Sequence, residues 1–144
     1  MKISRRFKTV LYTSLAALYF PGAVTWVLQT WFKIDRGFGP EPIWQEMWAL
    51  RMHSIAGLWF LMVFGYLVNS HVIPAWHNGL KLKSGVTLFI TIAILIGTVP
   101  CLFYLTADSS RTAVAYIHTY IGLLSLLPFV LHLLLKASKR SSAQ

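Results

Sequence analysis

Cysteine and acid are what this 144-residue chain has least of. Its one cysteine, Cys101, excludes an internal disulfide, a CxxC redox pair and the CxxCH motif that attaches a cofactor covalently. Only 12% of the residues are charged, about half the usual share in a soluble domain. Four Asp and Glu face thirteen Lys and Arg. With 56% apolar residues and a mean hydropathy of +0.61, the composition argues against a soluble globular protein and against disorder. A net charge of +9 would suit nucleic acid, but so oily a chain has little surface for a phosphate-binding face, and no nucleic-acid partner is expected.

Charge is missing in blocks. No Asp, Glu, Lys or Arg occurs in 9–32, 52–80, 84–107 or 112–135. A helix needs roughly 20 apolar residues to cross the core of a bilayer, and all four stretches qualify. Backbone in hydrocarbon must satisfy its own hydrogen bonds, so each stretch is expected to be helical. The expectation is an all-α, integral membrane four-helix bundle forming one domain over 1–144, with helices at about 9–32, 48–72, 85–106 and 112–136. Pro21-Gly22 lies within the first span and is expected to kink it. The basic start and apolar first stretch resemble a signal peptide, but the stretch is too long and lacks an A-x-A site, so it reads as a retained anchor.

The cations then orient the bundle. Lys2, Arg5, Arg6, Lys8, Lys81, Lys83, Lys136, Lys139 and Arg140 fall on one side with no acid among them. On the other side Lys33, Arg36, Arg51 and Arg111 cancel Asp35, Glu41, Glu46 and Asp108. The positive-inside rule places both termini in the cytoplasm. The second and fourth helices therefore run in the same direction, from outside to inside.

Those two helices carry four of the five histidines. His53 and His118 lie near their outer ends, His71 and His132 deeper toward the inside. His53 and His71 are 18 residues apart, five turns, and His118 and His132 are 14 apart, about 40° short of four turns. Each pair therefore shares a helix face, and the two helices offer paired imidazoles at two levels. Each outer histidine is followed by a glycine one turn on, Gly57 after His53 and Gly122 after His118, which leaves room for a flat macrocycle. Neutral imidazole suits iron, and two axial histidines saturate haem iron for electron transfer. Arg51 and Arg111 are placed for the propionates of an outer haem; Lys81, Lys83 and Lys136 for those of an inner one. His77, beyond Pro74, is either an interfacial loop residue or an alternative inner ligand.

A single intramembrane histidine more often bonds helices together, and small residues four apart are ordinary helix packing. The conjunction of two levels and one face per helix is what favours haem. A bare copper or zinc site lacks further ligands at either level. Two other classes stay open: a cofactor-free membrane anchor or assembly subunit, and a small transporter using the histidines as a proton relay. The four acids are the only carboxylate candidates for quinol proton release, and each is expected in a solvated loop. Pro40 to Trp48, with Trp44, Met47 and Trp48, reads as a short interfacial amphipathic stretch.

At R-M-H-S-I-A-G (51–57), N-S-H (69–71), K-S-G (83–85) and I-H-T-Y-I-G with a second histidine fourteen residues on (117–132), the chain resembles the small four-helix di-haem b-type cytochromes. These are membrane subunits of bacterial respiratory oxidoreductases, similar to the cytochrome b subunits of formate dehydrogenase, hydrogenase and thiosulfate reductase. The resemblance implies two haem b, with His53 and His118 on the outer haem and His71 and His132 on the inner. It further implies exchange with quinone or quinol, an extrinsic iron–sulfur or multihaem cytochrome partner in a multi-subunit complex, and a place in the bacterial inner membrane. Such a subunit carries electrons and is not a catalyst alone. The 18-residue spacing in the second helix is wider than the family pattern leads one to expect.

Overall fold

The computed structural model describes residues 4–35, 37, 40–79 and 83–141, with side chains for all of these but 35, 40 and 136–141. In order they form α1 (Arg5–Trp31), an antiparallel pair of two-residue strands β1 (Ile34–Asp35) and β2 (Pro40–Glu41), α2 (Trp44–Leu67), a π-helical segment (Val68–Val72), α3 (Ile73–His77), α4 (Lys83–Tyr104), α5 (Asp108–Leu124) and α6 (Leu126–Ser141). Four helical stretches are long and apolar enough to cross a membrane: Arg5–Trp31, Trp44–His77, Lys83–Tyr104 and Asp108–Leu135. The chain thus has the make-up of a multi-pass membrane protein. Large apolar side chains are exposed along every span, Leu58, Phe103 and Leu127 among them, as lipid-facing positions require.

The helices begin and end for local reasons. Ser4 caps α1, its hydroxyl accepting from the Phe7 N–H at 3.2 Å. At the far end the Phe32 N–H closes on the Leu28 carbonyl at 3.0 Å. Glu46 and Asp108 lie in the first turns of α2 and α5, where the helix dipole favours acids.

Four prolines test the apolar spans, since each lacks an N–H and crowds the preceding turn, and Pro100 stands inside α4, which continues through it. Pro21 stands inside α1, which continues through it. Pro74 does not stop the second span, which runs on to His77 where the sequence predicted an end near 72. The reason is the π segment before it. There the Ile73 N–H reaches back five residues to Val68, and the wider turn accommodates the proline. Pro128 follows a break at Ser125, whose hydroxyl turns back onto the Gly122 carbonyl at 2.6 Å.

Contacts gather into two compact units, Met1–Gly79 and Leu80–Gln144. The first is an antiparallel hairpin of α1 on α2. Phe7 packs on Tyr66 with ring centroids 4.7 Å apart, and Trp59 Nε1 donates to Ser14 Oγ at 2.8 Å. Phe60, Val63 and Phe64 are buried in this seam with Ser14 and Thr25. In the second unit, α5 and α6 pack along α4.

Ser14 is the buried hydroxyl that joins α1 to α2. Ser14→Ala leaves the Trp59 N–H without its acceptor and is expected to lower stability by about 1 kcal/mol. Unfolding followed by circular dichroism in detergent measures this. Ser54→Ala, whose hydroxyl bonds only the Leu50 carbonyl of its own helix, serves as the neutral control.

Candidate functional site: anchored histidines

His53 lies half-buried in the α1–α2 seam, where its Nδ1 is 3.0 Å from the Leu18 carbonyl oxygen. A carbonyl only accepts, so Nδ1 carries the proton and the lone pair sits on Nε2. The ring fits because residue 22 is glycine: a Cβ there would stand 2.7 Å from His53 Nδ1. Gly22 therefore makes the space that receives His53, in a helix that runs through Pro21 unbroken.

In the second unit His118 Nδ1 is 2.7 Å from Thr98 Oγ1. The Thr98 hydroxyl proton goes to the Leu95 carbonyl, also at 2.7 Å, so the hydroxyl oxygen accepts from His118 Nδ1–H. His118 is thus set in the same tautomer as His53. His132 Nδ1 is 3.3 Å from Ser84 Oγ, at the start of α4. Ser84 and Thr98 are 14 residues apart on α4, as His118 and His132 are on α5 and α6. One register of the hairpin therefore serves both histidines, which share the face turned to α4.

His71 sits within the π segment, with its Nδ1 buried. The 3.6-residue period is interrupted before it, so the five-turn phase that links His53 to His71 does not run unbroken. His77 is exposed and ends α3, placing it in a helix where the sequence suggested a loop.

The flanking candidates are placed as follows. Gly57 faces Leu18, whose Cδ1 would lie 3.8 Å from an added Cβ, and Gly122 faces Leu95 Cδ2 at 3.9 Å. Both glycines are at helix contacts within their own unit, with ordinary clearance. Arg51 is exposed, its guanidinium over the Trp48 ring at 5.3 Å, and Trp48 meets Trp44 edge-on at 5.4 Å. Arg111 is exposed in the opening turn of α5. Lys83 is exposed, Lys81 lies outside the described residues, and of Lys136 only the backbone is described. Trp44 and Trp48 belong to the first turns of α2, continuous with the span.

The acids require a correction. Glu46 is not in a solvated loop: it lies in the first turn of α2, is 7% exposed, and its Oε2 has no hydrogen-bond partner among the described residues. Glu41 is half-buried and Asp108 is exposed. Sequence reasoning also missed Ser84, Thr98 and Gly22 as partners of histidines. A signal for the first two was available, because their spacing on the third span equals that of the histidines on the fourth.

Among the described residues no three His, Cys, Asp or Glu side chains gather as a metal site. A bis-imidazole haem site asks for two histidines, since the macrocycle fills the other positions; His53 and His71 belong to the first unit, His118 and His132 to the second. Metal-binding histidines typically give their second ring N–H to a carbonyl or another oxygen, which fixes tautomer and orientation. His53 and His118 do this. Compared with protein-family models, with curated proteins and with solved structures, the chain matches none.

The tautomers are directly measurable. Imidazole 15N NMR at neutral to mildly alkaline pH is expected to show protonated Nδ1 at His53 and His118. Gly22→Ala should displace the His53 ring and shift its resonances while leaving those of His118 in place.

Proposed function

We propose that the chain is a membrane electron-transfer subunit of a respiratory oxidoreductase, built to hold two b-type haems between paired histidines. His53 and His118 hold one, and His71 and His132 the other. The observation that carries this reading is the anchoring of Nδ1 at His53 and His118, which leaves the ligating lone pair on Nε2 of each. Haem iron held by two imidazoles has no open coordination position and supplies one-electron transfer. The resemblance at 51–57, 69–71, 83–85 and 117–132 supports the same assignment.

Leu18 and Thr98 orient the rings, and Gly22 gives one of them space. In this reading Arg51, in the first half of α2, and Arg111, in the opening turn of α5, pair with carboxylates of the bound groups. The surplus of Lys and Arg supports both termini being cytoplasmic in a bacterial inner membrane. In this reading the chain exchanges electrons with quinone or quinol on one side and with an extrinsic iron–sulfur or multihaem subunit on the other.

A second reading draws on the same bonds. His53–Leu18 and His118–Thr98 each tie two helices together, as histidines of a cofactor-free anchor would. A reduced-minus-oxidised visible spectrum separates the two, with haem counted against protein that was grown with haem available. Two haems per chain are expected, falling to one in a folded His118→Ala variant. Thr98→Val should weaken retention of that haem by about 10- to 100-fold. A folded wild-type chain without haem overturns the proposal in favour of the anchor.

A further inference from the structure

The first histidine of each unit sits in a similar local frame. In the first unit the Leu18 carbonyl accepts from His53 Nδ1 at 3.0 Å, and the Leu18 side chain faces Gly57, one turn after the histidine. In the second, the Leu95 carbonyl accepts from the Thr98 hydroxyl, which accepts from His118 Nδ1, both at 2.7 Å. The Leu95 side chain faces Gly122, again one turn after the histidine. One leucine on the first helix of each hairpin thus meets the glycine through its side chain. It holds the histidine through its carbonyl, directly or by way of one hydroxyl.

The sequence around these contacts repeats. S-L-A-A-L (14–18) ends on the first leucine and T-I-A-I-L (91–95) on the second. H-S-I-A-G-L (53–58) is matched by H-T-Y-I-G-L (118–123), and a phenylalanine follows each histidine at eleven residues, Phe64 and Phe129. The chain between leucine and histidine is longer in the first unit, where β1 and β2 lie between α1 and α2. The other histidines do not repeat: Leu67 stands at the counterpart of His132, and Lys136 at that of His71.

Three and four residues after the leucine the units part, with Pro21-Gly22 in one and Thr98-Val99 in the other. A ring bonded directly to the leucine carbonyl lies against the residue four on, where a Cβ would stand 2.7 Å from Nδ1. Direct contact therefore requires glycine there. Val99 carries a Cβ at that position, and the Thr98 hydroxyl spans the gap instead.

We propose that the two units are copies of one imidazole-presenting hairpin, in which the residues three and four after the leucine are positioning residues that set how far the ring stands off its first helix. Pro21-Gly22 seats the imidazole on the carbonyl. Thr98-Val99 holds it one hydroxyl further out. Both settings keep the proton on Nδ1 and the lone pair on Nε2. The inference rests on the protein's own contacts and is independent of the haem reading.

The test exchanges the two settings in the full chain, prepared without haem in lipid nanodiscs, so that the tautomer ratio of each imidazole reports its Nδ1 bond alone. Histidine 15N NMR at mildly alkaline pH is the readout. Gly22→Val alone should lower the Nδ1–H to Nε2–H ratio of His53 by at least about fivefold, the equivalent of one intramembrane hydrogen bond. Adding Pro21→Thr should restore the ratio, with a new Nδ1 shift because the acceptor is now a hydroxyl. The reciprocal pair is read at His118. Thr98→Ala should lower its ratio by as much, and adding Val99→Gly should restore it by opening the way to the Leu95 carbonyl. The histidine of the unaltered unit is the internal control, since general loss of fold moves both. An unchanged His53 ratio in Gly22→Val overturns the proposal. So does a double variant that leaves its histidine as in the single variant while the control histidine is unmoved. If the first pair disturbs both histidines, the reciprocal pair, which introduces no bulk, decides.

Discussion

A backbone carbonyl or N–H within an apolar span has no water to turn to, and this constraint organises the molecule. The helices answer it along most of their length. Prolines interrupt the pattern, and polar side chains or an altered turn lie close to three of them. At Pro21 the Thr25 hydroxyl donates to the proline's own carbonyl at 2.8 Å, and His53 reaches Leu18 one turn back. Before Pro74 the chain widens into a π turn. Before Pro128, Ser125 folds its hydroxyl onto Gly122. Two histidines lie close to these irregular turns: His53 bonds the Leu18 carbonyl in the α1 turn before Pro21, and His71 lies in the π turn that admits Pro74.

Hydroxyls on neighbouring helices complete the arrangement. Thr98 passes its proton to Leu95 and thereby becomes an acceptor for His118. Ser14 accepts from Trp59 and fixes the α1–α2 register that brings His53 against Gly22. Such bonds are individually modest in a membrane, about 1 kcal/mol each. Their effect on chemistry is larger than their effect on stability, because a ring with a fixed tautomer presents one defined nitrogen. Glu46 is the exception to this economy of partners, with a buried oxygen that nothing among the described residues satisfies.

The spans and their number were legible in the sequence, because absence of charge over 20 or more residues is a local property that packing does not alter. The candidate histidines were legible for a similar reason: few ionisable residues interrupt these apolar runs, and their spacing follows from helical geometry. What the sequence alone determined is an all-helical chain with four stretches able to cross a membrane, and two of them carrying paired histidines. Tertiary structure decided what those histidines touch, that Glu46 is buried, and that the second span passes through Pro74. Each of these depends on register between helices or on a change of helical period. The residues involved are far apart in the chain, Leu18 with His53 and Ser84 with His132, and no local pattern encodes the distance between them.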